Sequence, residues 1–200
     1  SVPLAKETAV TRPALGPAQR RAGWVRRALA VRGLEEAVTW SFLAAAHAHL
    51  FGGGDGALHL ANPISADLDC MRPSLLPNLI AAAGRNADRG FDSVALFEVG
   101  PQYAGTAPGD QALVAAGIRQ GAMASRHWTG GARAADAYDA KADVLGALDE
   151  AGAPTAKLQL SADAPAWYHP GRSGVLSLGP KSRIAQFGEV QHRLGAGDQP

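Results

Sequence analysis

The sequence has 200 residues, 46% of them hydrophobic and 18% charged, with a formal net charge of +1. That balance fits a globular domain large enough to bury a core, excludes a disordered chain, and supplies no global field for nucleic acid or a membrane surface. A single cysteine, Cys70, excludes an internal disulfide, so a reducing cytoplasm is the expected compartment, and no apolar run is long enough to cross a bilayer.

Residues 1–18 contain Pro3, Pro13, Gly16 and Pro17 and are expected to be an extended lead-in. The body of the domain is expected over 19–194, with a loose end at 195–200, and both ends read as cuts from a larger protein. Over 19–32, Trp24, Val25, Ala28 and Leu29 fall on one helical stripe, and Gly33 stands where a helix-ending glycine belongs. Arg20, Arg21, Arg26, Arg27 and Arg32 share this segment. Two readings fit them: a contact for RNA or another subunit, or a solvated face whose later arginines suit a helix C-terminus.

Residues 37–42 alternate as a strand, with Val38, Trp40 and Phe42 on one face and Thr39 and Ser41 on the other. A short helix is expected over 43–51. The glycine-rich stretch 52–56 lacks the Lys-Ser/Thr pair of a phosphate loop. A strand over 58–60 should end at Asn62-Pro63, because proline has no ladder donor. After a polar loop at 65–69, Ser74 can accept a hydrogen bond from the first turn of a helix, and Pro77 falls within that turn. Leu75, Leu76, Leu79, Ile80 and Ala83 form its buried stripe, and the pattern fades at Gly84-Arg85-Asn86.

The stretch 94–99 is apolar on both faces and so reads as a central strand, Glu98 excepted. A buried carboxylate needs a partner; Arg72 is the first candidate and Arg85 the second. A strand over 112–118 follows, with Gly117 marking a close approach, then a polar, glycine-rich segment around Trp128 over 120–135. Residues 143–151 form an amphipathic helix with Val144, Leu145 and Leu148 inward, and 157–160, 175–178 and 183–190 are strands. The sum is an α+β fold, an antiparallel β-sheet flanked by helices.

Few groups here point to chemistry. His47 and His49, with His59 nearby, would diverge on a helix and read as surface histidines, not zinc ligands. Asp163, His169 and Ser173 have the residue types of a nucleophilic triad but no nucleophile elbow, and His169-Pro170-Gly171 reads as a tight turn. Arg172 could meet a phosphate or a carboxylate. Cys70 has no second cysteine and no adjacent base, so it reads as packing beside Met71.

One ordered set of motifs carries a resemblance. Val31 to Phe42 (VRGLEEAVTWSF), Asn62-Pro63-Ile64-Ser65, Met71 to Leu79 (MRPSLLPNL), Arg85-Asn86, Leu96 to Gly100 (LFEVG), Tyr138 to Val144, Tyr168 to Gly174 and Phe187 to Val190 follow in that order. In that order and spacing, over residues 19–193, the chain resembles the catalytic-like core module of the bacterial phenylalanyl-tRNA synthetase β subunit. The resemblance implies a class II synthetase core that is non-catalytic in this subunit and supports assembly with the α subunit in an (αβ)2 enzyme. That enzyme attaches phenylalanine to tRNA(Phe) using ATP and Mg; no cofactor and no metal is expected in this domain. The implied partners are the α subunit, the remaining β-subunit domains and, through the whole complex, tRNA(Phe), with no membrane. No catalytic residue carries over. Motif positions with implied structural roles are Asn62, Pro63, Arg72, Ser74, Pro77, Glu98, Gly100, His169, Pro170 and Gly171. Phe97 stands where a class II enzyme would want an arginine before the glutamate. The chain departs from the pattern at Gln191-His192-Arg193, where His-Pro is usual, and at Ala142, where glycine is common. Two other readings are a free-standing paralogue with its own ligase activity and a tRNA-binding module built on the arginine-rich first helix.

Overall fold

The computed structural model describes residues 13–123, 128 and 130–191. Most of the expected lead-in, His192-Arg193, the end at 195–200 and part of the 120–135 segment lie outside the described residues. Helix α1 (Pro17–Val31) opens two residues earlier than the sequence suggests, with Pro17 in its first turn and the Gly16 amide donating to Gln19 Oε1 at 2.9 Å. Its end follows expectation. Gly33 takes φ +81°, its N–H donates to Ala30 O at 2.9 Å, and Leu34 N donates to Leu29 O at 3.1 Å, while Leu29 and Leu34 pack together.

Strand β1 (Glu35–Glu36) runs parallel to β4 (Val94–Tyr103), with Glu35 opposite Leu96. Its last bond is Ala37 N to Phe97 O, 2.7 Å. The next acceptor along β4, Val99 O, is instead held by Arg26 Nη2 at 3.2 Å, and Arg26 Nε binds Glu36 at 2.6 Å. This corrects the strand expected over 37–42: a side chain occupies the rung the ladder needs. Only β2 (Phe42–Leu43) pairs again, antiparallel to β3 (Cys70–Met71).

Helix α2 (Ala45–Leu50) begins where Asp69 Oδ1 accepts from Ala45 N. The expected strand over 58–60 is also corrected. Gly56–Leu58 is a 3-10 turn that buries Leu58 against Leu43, Ala48 and Cys70, and His59 makes one isolated bridge to Cys70. Asn62 and Pro63 therefore end no strand; both are exposed in an irregular connection.

Helix α3 (Leu76–Ala87) keeps its stripe but continues through Gly84-Arg85-Asn86, past the expected fade, with Asn86 Nδ2 donating to Ala82 O. Strands β4 and β5 (Gln111–Gln120) form a ten-residue antiparallel hairpin, and β4 is central between β1 and β5. Successive side chains alternate between faces. Phe97, Ala95 and Val99 pack against Leu29 and Leu34, while Ala116 and Ile118 pack toward Phe51, Leu76 and Tyr168.

Helix α4 (Ala137–Glu150) starts six residues before the amphipathic stretch expected at 143–151, capped by Asp136, which accepts from Tyr138 N and Asp139 N. Strands β6 (Gln159–Ser161), β7 (Tyr168–Ser177) and β8 (Arg183–Val190) form a second antiparallel sheet. Among the described residues the expected single antiparallel sheet is two three-stranded sheets and a two-stranded ribbon, with helices packed on them, and the α+β class stands.

At the start of α4, Arg133 grips Asp139 with two bonds of 2.7 Å, which holds the Asp139 carboxyl down at about 2. A depressed carboxylate adds stability above its unfolded pKa of about 4 and loses it as pH falls toward the folded value. Thermal midpoints measured from pH 5 to pH 2 should therefore fall less steeply in Asp139→Asn than in the parent; parallel curves would refute this contribution.

Candidate functional site

Arg72 leaves β3 at the point where the chain turns toward α3, and Glu98 lies mid-way along β4; they are 1% and 3% exposed. Arg72 Nη2 meets Glu98 Oε1 at 2.9 Å. The rest of the guanidinium is also engaged: Nε donates to Pro101 O at 2.8 Å, and Nη1 to Thr39 Oγ1 at 2.9 Å and to Trp40 O at 3.2 Å. The Thr39 hydroxyl donates in turn to Glu98 Oε2 at 2.6 Å, so the hydroxyl, the arginine and the glutamate close a ring. Such satisfaction is what permits two charges to sit in a core. Gly100 completes the site by its smallness. A Cβ there would lie 2.5 Å from Arg72 Nη2 and 2.8 Å from Glu98 Oε1.

Above this ring run residues 37–41. Val38 and Trp40 are 91% and 63% exposed, although the alternation places them opposite the inward-facing Thr39. They rim a groove of about 320 Å³ whose lining includes Phe42, Leu68, Pro77 and Ala81, with Arg85 and Asp67 also at its walls. Asn78 on α3 donates to Trp40 O at 2.8 Å and to Phe42 O at 3.4 Å, tying the strip to the helix.

The other sites expected from sequence separate. Ser74 Oγ accepts from Leu76 N at 3.2 Å, and Pro77 lies in the first turn of α3, buried beside the groove. Arg85 is exposed on α3 and does not reach Glu98. His169-Pro170-Gly171 is not a tight turn but an irregularity inside β7. Between Tyr168 and Ser173 the partner on β8 moves only from Val190 to Gly188. Pro170 cannot supply a ladder donor, and the excess is closed locally by Ser173 Oγ donating to His169 O and Gly171 N to His169 Nδ1. Arg172 pairs with Glu189 on the surface. His47 and His49 are exposed on α2, and no group of three metal-ligating side chains exists among the described residues. Cys70 is buried, and that burial pushes its thiol up. Burial likewise pushes the Tyr168 phenol up to about 12, beside Trp167 and Phe51. Of the arginines over 20–32, Arg26 pairs with Glu36 at the surface and Arg32, just past the end of α1, pairs with Asp143, while Arg20, Arg21 and Arg27 are exposed.

Sequence reasoning missed three participants. Thr39 carried no signal beyond its place on the polar face of the 37–42 alternation, a face that sequence rules would send to solvent. Asn78 sits at the edge of the α3 stripe. Asp143, 7% exposed, takes Arg119 Nε at 2.6 Å and Arg32 Nε at 2.7 Å, and lies at the inward edge of an apolar helix face.

Comparison with known proteins decides the family. The family model for the phenylalanyl tRNA synthetase beta chain CLM domain matches residues 4–196. The chain belongs to this family. It is 62% identical over 186 residues to the phenylalanine–tRNA ligase beta subunit of Paramagnetospirillum magneticum, covering 93% of this chain and 23% of that protein. It is also 62% identical over 190 residues to the corresponding subunit of Rhodospirillum rubrum, covering 95% of this chain and 24% of that one. This CLM-family chain therefore spans about a quarter of the length of the relatives it matches. Its fold is similar to that of a pyrrolysyl tRNA synthetase from Desulfitobacterium hafniense, with TM-score 0.59, 19% identity, and coverage of 94% of this chain and 63% of the other. That likeness concerns the fold alone, and it agrees with the class II synthetase-like core implied by the motifs.

In this CLM-family chain the residues around Glu98 do not fit a nucleoside triphosphate. Phe97, where an arginine would be wanted, is buried against Leu29 and Leu34. Arg72 cannot substitute, because it is buried and its donors already serve Glu98, Thr39, Trp40 and Pro101.

Proposed function

We propose that this CLM-family domain is a non-catalytic assembly module of a phenylalanine–tRNA ligase β subunit, and that its 37–41 strip and the adjoining groove receive the α subunit. The observation that carries the reading is the outward presentation of Val38 and Trp40 beside a groove of mixed apolar and polar lining, over the buried Arg72–Glu98–Thr39 network. Exposed aromatic and branched side chains around a groove are the makings of a protein interface, since burying them releases water and gains packing. The relatives are named as beta subunits, which implies a second kind of subunit to dock. ATP and Mg, phenylalanine and tRNA(Phe) are then handled by the assembled cytoplasmic enzyme, with the remaining β-subunit domains holding this module in place.

The test is association of full-length β subunit with the α subunit of the same enzyme. The double variant Val38→Asp, Trp40→Ala should weaken the complex at least tenfold, while its melting temperature stays close to that of the parent because Val38 is almost wholly exposed and Trp40 mostly so. An unchanged dissociation constant would overturn the reading.

A further inference from the structure

We infer that Thr39, with Arg72 and Asn78, is a positioning clamp that holds residues 37–41 extended and ready for the partner before it arrives; the inference rests on the assembly reading above. The strip needs such a device. Among the described residues, Val38, Thr39 and Trp40 make no backbone-to-backbone hydrogen bond to a neighbouring strand, because Arg26 occupies the acceptor that would have continued β1. A segment without a ladder would ordinarily be loose, and a loose docking segment must be ordered when it binds, at a cost to affinity.

Three successive residues of the strip are instead drawn inward by side chains and one amide. Thr39 Oγ1 accepts from Arg72 Nη1 and donates to Glu98 Oε2. Trp40 O accepts from both Arg72 Nη1 and Asn78 Nδ2. Ser41 O accepts from Arg72 N at 3.0 Å. With Thr39 facing the ion pair, strand alternation turns Val38 and Trp40 outward. The buried pair thus sets the geometry of a surface from the inner side, through the backbone and the Thr39 hydroxyl. Thr39 is the element of the clamp that belongs to the strip itself. Its hydroxyl alone bridges both charges, and a valine of the same shape would leave one Arg72 donor and one Glu98 oxygen without that partner.

The experiment uses full-length β subunit, parent and the variants Thr39→Val, Thr39→Ser, Asn78→Ala and Trp40→Ala. Two readouts are taken: amide hydrogen exchange of residues 38–42 in free β, and affinity for the α subunit. Thr39→Val and Asn78→Ala should each speed exchange at 38–42 about tenfold while protection in α3 and the β4–β5 hairpin is unchanged, and should weaken α binding about tenfold. Thr39→Ser should keep both parental values, which a role limited to shape filling would not predict. Trp40→Ala should weaken α binding without speeding exchange. If Thr39→Val and Asn78→Ala leave exchange and affinity unchanged while Trp40→Ala weakens binding, docking stands and the clamp is wrong. If Thr39→Val loses protection throughout and Asn78→Ala changes neither readout, Thr39 is a general structural residue and the clamp is also wrong. An unchanged affinity in Trp40→Ala refutes the assembly reading; the exchange readout, taken without any partner, still judges the clamp separately.

Discussion

Arg72→Ala should lower the free energy of unfolding by about 3–5 kcal/mol, the range for breaking a buried ion pair by removing one partner. The size follows from what is left behind. Glu98 would remain on a central strand, nearly without solvent, and would keep only the Thr39 hydroxyl as a donor. Pro101 O and Trp40 O would lose donors at the same stroke. Little of this can be recovered from bulk water, since Arg72 and Glu98 are only 1% and 3% exposed. Glu98→Gln should cost less, because an amide oxygen still accepts from Arg72 while the arginine keeps its carbonyl partners. Urea denaturation with the slope held common gives the comparison directly. An Arg72→Ala variant with the parental midpoint would show that the pair contributes nothing.

Asp143→Ala should cost about 2–4 kcal/mol, somewhat less than a fully buried pair because Arg32 is partly in water. The carboxylate binds Arg119 twice, at 2.6 and 3.2 Å, and Arg32 once, so its removal sets two guanidinium groups facing each other with no anion between them. Arg119 Nη2 also reaches Arg32 O at 2.8 Å, which keeps the two cations close even without Asp143. The double variant Asp143→Ala, Arg119→Ala should therefore be less destabilised than the sum of the single changes, the mark of a shared network. Strict additivity in calorimetry would show that the three side chains act independently.

What the sequence made legible followed local rules. The glycine that ends α1, the stripe of α3, the central placing of β4 and the pairing of Arg72 with Glu98 each depend on periodicity or on the cost of burying a charge. The failures have a common physical source in tertiary competition for backbone partners. Residues 37–42 alternate as well as any strand, yet Arg26 takes the carbonyl that the ladder required. Leu58 and Leu60 suggested a strand, but burying Leu58 among Leu43, Ala48 and Cys70 settled for a tight turn. His169-Pro170-Gly171 has turn chemistry, and the sheet absorbed it as a bulge because Tyr168 before it and Ser173 after it both keep partners on β8. The 37–41 strip was half legible: the alternation of Val38, Thr39 and Trp40 was plain, while the exposure of Val38 and Trp40 could be read only from three dimensions.

The link from Arg32 to Asp143 spans 111 residues of chain. During synthesis the first helix leaves the ribosome long before its carboxylate partner exists, so α1 must wait with an unmatched arginine while α2, α3 and the β4–β5 hairpin are made. Contacts of such sequence separation are slow to close. The first helix can settle on β4 through Leu29 and Leu34 earlier, but its arginine is matched only once α4 is made, and a pause placed before α4 would lengthen that wait more than one placed after it.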